Sequence, residues 1–584
     1  MPAPEDPRRR ARIDSRVAFA MAGFAALAGL LALLDRIGAP EPLIRVIGPV
    51  AVLAALGALG ALLRAATASR FHAAGRTLPT PYAGFAAAAF VMGLALPFAP
   101  PASGEGVDAS VGWGALVGLF VAALLFGPVV RRTGAASLGD LLEARFASPA
   151  LRLVLGVALA AVGALTGLAG AEAAIGALVE VLGYSRPAVA GLLAFALVLI
   201  AAPGGLFGLL WAANGAAGVM LAALALPIAV LVLRDDMPTP FLEQSPVWGE
   251  AAAVLAGWGS EAGAQGLWAA AGAACGVAGF APLLMAWGAA RDGAAALRAG
   301  IVTLGWTSVA AGTAAIALMW GALSLGQAVA GRAADRLPEA VYAGSAAGVL
   351  DLCGAKAASP QAARVACAGQ NKAGPLTVAE ARPRGPLFLF GLTSLAGAGA
   401  AGTSLLAAGL VAVELCLAAL GFFLCAGALG RDFSLALGGH ADRGGAQASR
   451  RLATTRALLV AVGAVGLAWA GARPIDPRLL IGLALMLSAA VVSPLLALSL
   501  VPRVTGRDAL LGLFGGLAGA EAVLFLGSPT TTVLARAALA GTLVGVATGL
   551  GASFGRKGGK AGGAGMPSGL LRGRGDALAP DGGP

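Results

Sequence analysis

The sequence predicts an all-α protein whose helices cross a membrane many times. Hydrophobic residues make up 58% of the 584 residues and charged residues only 12%, and the mean hydropathy is +0.85. Apolar stretches of about 18 residues or more recur between residues 17 and 554, and each is long enough to cross a hydrocarbon core of ~30 Å as a helix. A helix suits lipid because it satisfies its backbone hydrogen bonds internally.

The apolar stretches predict fourteen spans, with boundaries that hold to a few residues. In chain order they are 17–34, 43–64, 80–99, 112–130, 151–181, 187–202, 204–232, 265–288, 299–325, 400–430, 456–471, 478–501, 508–527 and 530–552. The apolar stretch 385–399 is too short to span and is a candidate interfacial or re-entrant helix. Residues 1–16 form a basic N-terminal segment, and the Gly-rich basic tail 553–584 is expected to be disordered.

Basic residues predict the orientation of the chain. With the N-terminus in the cytoplasm, the inside segments carry 26 Lys and Arg residues and the outside segments carry 13. Seven of those 13 lie in the long loop 326–399, where charge has less orienting weight. We therefore expect a multi-pass protein of the bacterial inner (plasma) membrane, with both termini in the cytoplasm and the loop 326–399 in the periplasm.

The remaining composition excludes several classes of function. The net charge of +11 is spread over short loops, which fits positive-inside topology and gives no nucleic-acid site; the expected partners are the lipid bilayer and a small solute. His72 and His440 fall in predicted cytoplasmic loops, and no metal-ligand or phosphate-binding motif occurs, so we expect neither an enzyme nor a cofactor. Cys353 and Cys367 share the loop 326–399 and can form a disulfide if that loop lies outside the cytoplasm.

Two spans carry paired Gly and Pro residues that predict interrupted helices. Span 80–99 contains Gly84, Gly93 and Pro97, and span 265–288 contains the run CGVAGFAP. Unwound backbone in a membrane is tolerated where it lines a cavity, so such pairs point to a binding site at the bilayer midplane.

Five segments carry a resemblance to one family. They are 71–79 (FHAAGRTLP), 131–152 (RRTGAASLGDLLEARFASPALR), 204–211 (GGLFGLLW), 481–499 (IGLALMLSAAVVSPLLALS) and 503–512 (RVTGRDALLG). Their order and spacing over residues 60 to 550 resemble the sodium/solute symporters, most closely the cation/acetate (monocarboxylate) branch. The resemblance implies an inverted five-plus-five helix repeat, the LeuT-like fold. The ten-helix core would occupy 80–501, with two spans before it at 17–64 and two after it at 508–552.

The chain departs from the family at positions that hold sodium. The family's acetate-type branch carries an Asp and Ser residues in its first core helix, where this chain has Phe90 and Gly93. The eighth core helix often supplies a Ser/Thr pair, where this chain has Cys416 and Leu417. Hard cations prefer oxygen ligands, so these departures leave backbone carbonyls as the remaining ligands and put sodium coupling in doubt.

The resemblance and the interruptions together imply the site residues. For the solute they are Ala87, Phe90, Gly93, Glu172, Gly276 and Gly279; for the coupling ion, Na⁺ or H⁺, they are Ala88, Val91, Glu414 and Cys416. Glu172 lies in core helix three and Glu414 in core helix eight. Acidic residues are rare inside membrane spans, so each of the two is a candidate functional residue. Glu521 and Arg536 lie in the last two spans and are placed to pair with each other.

Two functions follow from this pattern. One is a secondary transporter that moves a small organic solute, such as acetate or another monocarboxylate, together with a cation. The other is a protein of transporter fold that no longer transports and acts as a membrane sensor or scaffold. The lost hydroxyl and Asp ligands favour the second function, and the Gly/Pro interruptions favour the first.

The charge distribution predicts the topology in a form that fusions can test. A reporter that is active only in the periplasm is expected to be inactive when fused after residue 584 and active when inserted in the loop 326–399. Periplasmic activity of the C-terminal fusion would show that the orientation is wrong.

Overall fold

The computed structural model describes residues 7–98, 109–132, 135, 137–233, 248–250, 253–254, 264–346, 350–370, 374–383, 399–433, 435, 445–527 and 530–555. Within these ranges thirteen helices are long and apolar enough to cross a membrane, and Arg186–Ala201 is a shorter apolar helix. The segment 385–399 and nearly all of the tail lie outside the described residues.

The helices and strands follow one another along the chain as a succession of long spans with short connections. They are α1 (Pro7–Arg36), α2 (Glu41–Leu62), α3 (Ala68–Ala73), α4 (Thr80–Ala95), α5 (Ala109–Val121), α6 (Gly127–Arg132), α7 (Leu138–Phe146), α8 (Pro149–Leu182), α9 (Arg186–Ala201), α10 (Gly205–Leu233), α11 (Ala264–Ala278), α12 (Ala281–Gly288), α13 (Gly293–Val329), α14 (Glu339–Ala346), β1 (Leu350–Leu352), α15 (Pro360–Ala368), β2 (Ala381–Pro383), α16 (Gly399–Gly427), α17 (Gly445–Ala472), α18 (Pro477–Leu487), α19 (Ser493–Ser499), α20 (Gly506–Phe525) and α21 (Thr531–Gly555). The first helix begins at Pro7, inside the predicted N-terminal segment 1–16.

Among the described residues, three π-helical turns lie in or next to the spans. Ala122–Phe126 joins α5 to α6, Ala428–Phe433 follows α16, and Ser488–Val492 joins α18 to α19. Such turns add one residue to a helical turn and often occur at functional sites, because they re-aim the backbone without ending the helix.

Helix α16 is the central helix of the bundle. Every residue of its most apolar 18-residue window is buried, and it packs against α2, α4, α8 and α10. Its closest neighbour is α8, where Gly163, Gly167 and Gly170 face it. A Cβ atom on Gly163 would lie 2.5 Å from the Cys425 backbone nitrogen, and one on Gly170 would lie 2.6 Å from the Glu414 carbonyl oxygen. Small residues allow this approach, and van der Waals packing then holds the two helices together in lipid.

The segments 71–79 and 204–211 meet at the predicted cytoplasmic end of the bundle. Phe71 is fully buried, and its ring lies 5.4 Å from that of Phe423. Gly205 has a φ of +54°, and a Cβ atom there would lie 2.6 Å from the Phe71 carbonyl oxygen. The Arg456 guanidinium lies over the Phe71 ring and donates to the Ala65 carbonyl. These contacts join the α2–α3 connection to the start of α10 and to α17.

The loop 326–399 contains a small folded unit of its own. Strands β1 and β2 pair antiparallel, with Leu350 opposite Pro383. Cys353 and Cys367 form a disulfide, which answers the question that the sequence left open. The Tyr342 hydroxyl donates to the Ala334 carbonyl and accepts from the Leu337 amide. Helix α14 and the start of the loop are thereby held together.

The contact at Gly205 predicts a large loss of stability on a small substitution. Gly205→Ala places a Cβ against Phe71 at a left-handed backbone position, so we expect it to lower the free energy of unfolding by about 2–4 kcal/mol. Gly176→Ala in α8 is the matched control, because its Cβ would meet nothing within 4 Å, and it is expected to be neutral or slightly stabilising. Thermal melting of the two purified variants in detergent tests this, and equal melting temperatures would contradict it.

Candidate functional site at the broken helix

The predicted interruption of span 265–288 is present. Helix α11 ends at Ala278 and α12 begins at Ala281, with Gly279 and an extended Phe280 between them. Pro282 sits in the first turn of α12, where its missing N–H removes a bond that a continuous helix would make. The Ser493 hydroxyl of α19 donates to the Cys275 carbonyl at 2.7 Å. Core helix ten, the predicted span 478–501 that contains α18 and α19, therefore supports the backbone just before the break.

The predicted interruption of span 80–99 is wrong. Helix α4 is continuous from Thr80 to Ala95, and only its last residues tighten into a 3₁₀ turn, Leu96–Phe98, that contains Pro97. Gly84 and Gly93 serve close packing instead of a break. A Cβ on Gly84 would lie 2.5 Å from the Ala299 carbonyl oxygen of α13, and one on Gly93 would lie 3.2 Å from the Val413 carbonyl oxygen of α16.

Apart from Glu172, the residues assigned to the solute lie in two places. Ala87, Phe90 and Gly93 are buried in α4, and Gly93 faces α16. Gly276 and Gly279 face core helix ten: a Cβ on Gly276 would lie 3.0 Å from the Leu485 Cβ, and one on Gly279 would lie 2.9 Å from the Ser493 backbone nitrogen. Gly93 therefore packs against a different helix from Gly276 and Gly279. Within the broken span, α12 is the part that contacts α4, α8 and α16.

Glu172 lies in the C-terminal half of α8, on the predicted outer side. Its carboxylate pairs with Arg186 at 2.5 Å, and Arg186 also donates to the Ala470 carbonyl at 2.9 Å. This arrangement ties α8 to the start of α9 and the end of α17. Contact between Glu172 and a solute stays a prediction.

The residues assigned to the coupling ion offer few side-chain oxygens. Ala88 and Cys416 are fully buried, Glu414 is 2% exposed, and Val91 is partly buried. The Oε2 atom of Glu414 has no hydrogen-bond partner among the described residues. In the same part of the chain, no group of three or more His, Cys, Asp or Glu side chains is arranged to hold a metal ion.

The hydroxyl of Thr303 on α13 is used within the bundle. Its Oγ1 atom accepts from the Trp287 indole at 3.1 Å and lies 3.0 Å from the Gly84 carbonyl, to which it can donate. The three groups link α4, α12 and α13. This link fixes α12 beside α4 and leaves Thr303 committed to the protein.

A cavity of about 30 Å³, room for roughly two water molecules, lies at the predicted cytoplasmic end of the bundle. Its lining comes from α3, α6, the start of α7 and the segment before it, α8, α12 and the end of α16 with the turn that follows. It includes His72, Ser137, Ala281, Met285, Leu424 and Asp432. None of the residues assigned to solute or ion lines it. Burial, and to a lesser extent the charge of Arg431, lowers the pKa of His72 to about 3, against an opposing effect of Asp140. The imidazole is therefore neutral at physiological pH.

A cluster of charges borders this cavity. Arg152 is 4% exposed and pairs with Asp140 at 2.8 Å, with Asp432 at 3.2 Å and with Glu143. Ser137 donates to Asp432 at 3.0 Å, and Arg431 donates to Asp140. The cluster joins α7, α8 and the end of α16.

The sequence did not assign a role to this cluster. Asp140, Glu143 and Arg152 appeared only as parts of the segment 131–152. The signal that identifies them is a pair of carboxylates three residues apart, followed by an arginine at the start of the predicted span 151–181. Asn214 of α10 was also missed, although an amide in an apolar span is a visible signal. Its Nδ2 donates to the Leu210 carbonyl at 2.7 Å, and its Oδ1 has no partner among the described residues.

Comparison with known proteins identifies the fold. No protein-family model and no curated protein matches the chain. Among solved structures, a substrate-bound, outward-open Na⁺-coupled sialic acid symporter matches with a TM-score of 0.62 and 12% identity, over 88% of this chain and 98% of that chain. The chain is therefore an all-α polytopic membrane protein with a LeuT-like fold, and the predicted fold class is confirmed.

The charge cluster predicts how strongly the cytoplasmic end depends on Arg152. Arg152→Met leaves three carboxylates short of a buried partner, so we expect a loss of about 3–5 kcal/mol in the free energy of unfolding. Arg364→Met is the matched control, because Arg364 is 68% exposed in its pair with Asp335 and should contribute about 0–1 kcal/mol. Thermal melting in detergent compares them, and a control as unstable as Arg152→Met would count against the cluster.

Proposed function

We propose that this chain is a secondary active transporter that moves a small organic solute across the inner membrane by symport with a cation. The observation that carries the proposal is the break at Gly279 and Phe280, in a chain whose fold matches that of a Na⁺-coupled symporter. Broken helices place backbone groups in the interior of a membrane protein, where a solute or ion can use them.

The surroundings of the break favour a small, mostly apolar acid. No side chain caps the start of α12. Pro282 has no N–H, and the Leu283 and Leu284 amides donate to the Phe280 carbonyl, so the Ala281 amide and the helix dipole are the groups that would favour a carboxylate there. Ala281, Leu283 and Leu284 are buried apolar residues, whereas a sugar needs many polar partners. A short monocarboxylate such as acetate is therefore the first solute to test.

The disulfide supports the proposed orientation. Cys353 and Cys367 are bonded, and disulfides persist in the periplasm but are rare in the cytoplasm. The loop that carries them is on the outside in the orientation that the 26-to-13 division of basic residues favours. Both termini would then be cytoplasmic, and the charge cluster around Arg152 would border the cytoplasmic exit.

A second candidate is a membrane sensor or scaffold that keeps the transporter fold without transport. The observation that favours it is the continuous helix α4, which a site built from two broken helices would not have. The hydroxyl of Ser493 also donates to the Cys275 carbonyl near the break at Gly279.

Uptake by reconstituted vesicles distinguishes the two candidates. Purified protein in liposomes is expected to accumulate labelled acetate, pyruvate or an amino acid when a cation gradient is imposed. Gly279→Val is expected to reduce uptake to background, because its side chain would strike Ser493 at the break. Gly176→Ala is the control that should retain uptake. A folded wild-type protein that moves none of these solutes under a sodium or a proton gradient would favour the sensor or scaffold.

A further inference from the structure

We propose that Glu414 is the proton-binding residue of this chain and that the coupling ion is therefore H⁺. The inference rests on the proposed transport function and names its ion. The step is reversible protonation: the carboxylate takes a proton from the outer side to become the neutral acid, and returns it to the cytoplasmic side as the carboxylate re-forms.

Glu414 lies at the middle of the most deeply buried helix. It is 15 residues after Gly399, the first residue of α16, which places it about 22 Å along the helix at about 1.5 Å per residue. Its side chain is 2% exposed. At this depth, neither the aqueous phase nor the lipid headgroups reach the carboxyl group in the conformation described.

No described group neutralises this carboxyl group. Its Oε2 atom has no hydrogen-bond partner, and the charged residues of the helices around α16 lie away from the middle of that helix. Helix α1 also packs on α16; its charged residues fall in its first ten residues and at Asp35 and Arg36, and Asp35 lies next to Gly399 at the start of α16. Glu172 is paired with Arg186, Arg152 belongs to the cytoplasmic cluster, and Glu41 is paired with Arg45 at the start of α2. Helices α4, α10 and α12 carry no Asp, Glu, Lys, Arg or His within their bounds, and the thiols of Cys416 and Cys425 are on α16 itself. On α8, Glu180 lies near the outer end, and on α17, Arg450, Arg451 and Arg456 lie near the start.

An unpaired carboxylate at this position would cost several kcal/mol relative to the neutral acid. The described conformation is therefore one in which Glu414 holds its proton. The Oε2 atom of Glu414 makes no hydrogen bond in this conformation. A conformation that admits water or a cationic partner to the carboxyl group would stabilise the carboxylate and release the proton. Reversible proton binding requires two environments of this kind.

The packing around Glu414 connects it to the parts of the fold that would move. The Glu414 carbonyl abuts Gly170 of α8, and the neighbouring turn at Val413 and Leu417 abuts Gly93 of α4. The cytoplasmic cavity begins at Leu424, ten residues and about 15 Å farther along the same helix. A modest separation of α8 from α16 would extend that cavity toward Glu414.

The same turn offers little to sodium. Cys416 and Leu417 stand where the resemblance places oxygen ligands, and a thiol and an alkyl group are poor ligands for a hard cation. A proton needs one basic oxygen and no coordination shell. Glu414 provides that oxygen.

The test combines two measurements on the full-length protein in vesicles. At about neutral pH, infrared difference spectra between wild type and Glu414→Gln are expected to contain the carbonyl band of a protonated carboxylic acid. An inward proton gradient without sodium is expected to drive accumulation of labelled acetate by wild type. Glu414→Gln should lose that accumulation yet keep acetate exchange at equal concentrations, since the amide mimics the protonated acid. Glu414→Asp should recover part of the accumulation.

The control is Glu521→Gln, an exposed acidic residue in α20 outside the core, which should behave as wild type. Sodium-driven accumulation that survives Glu414→Gln unchanged would overturn the inference, as would the absence of the acid band. If wild type moves none of acetate, pyruvate and amino acids under either a sodium or a proton gradient, the transport proposal fails. The infrared band then decides separately whether Glu414 holds a proton: its presence supports the site and its absence overturns it.

Discussion

The close approach of α8 to α16 is the contact on which the rest of the bundle depends. Three glycines of α8 allow backbone to touch backbone along about two turns, from Gly163 against Cys425 to Gly170 against Glu414. In lipid there is no hydrophobic force to join two apolar helices, so packing at this distance is what holds them. The other neighbours of α16 then enclose it completely. A helix with no exposed face cannot shift alone, and any conformational change has to separate it from a whole neighbour.

The same pair of helices carries both groups of functional interest. Glu414 lies at one end of the glycine contact, and Arg152 lies near the start of α8, where it meets Asp432 after α16. One contact is apolar and the other is ionic. The ionic contact lies beside a cavity at the predicted cytoplasmic end of the bundle.

Glycine occurs in this chain both beside a helix break and at close contacts between continuous helices. The free-energy cost of glycine and proline in a helix helps to explain the difference. A glycine in a helix costs about 0.5–1 kcal/mol relative to alanine, too little to end a long apolar helix. A proline in a helix interior costs about 3 kcal/mol because it removes a hydrogen bond and clashes with the preceding turn. Span 265–288 breaks where Gly279, an extended Phe280 and Pro282 follow one another, whereas Pro49 alone lies inside the continuous helix α2. Span 80–99 does not break because its proline lies in the last turn, and its glycines are used for packing against α13 and α16.

The sequence by itself determined the fold class, since the length and spacing of apolar stretches leave few alternatives to a helical bundle in a membrane. It also located the break near Gly279, because proline acts through local geometry, and it placed Glu414 in the membrane interior. Only the tertiary structure decided what each polar side chain meets. Glu172 pairs with Arg186, Thr303 bonds within the bundle and Gly276 faces core helix ten, and in each case the partner lies on another helix. Periodicity and composition report which residues are apolar, but they contain no information about which backbone lies opposite.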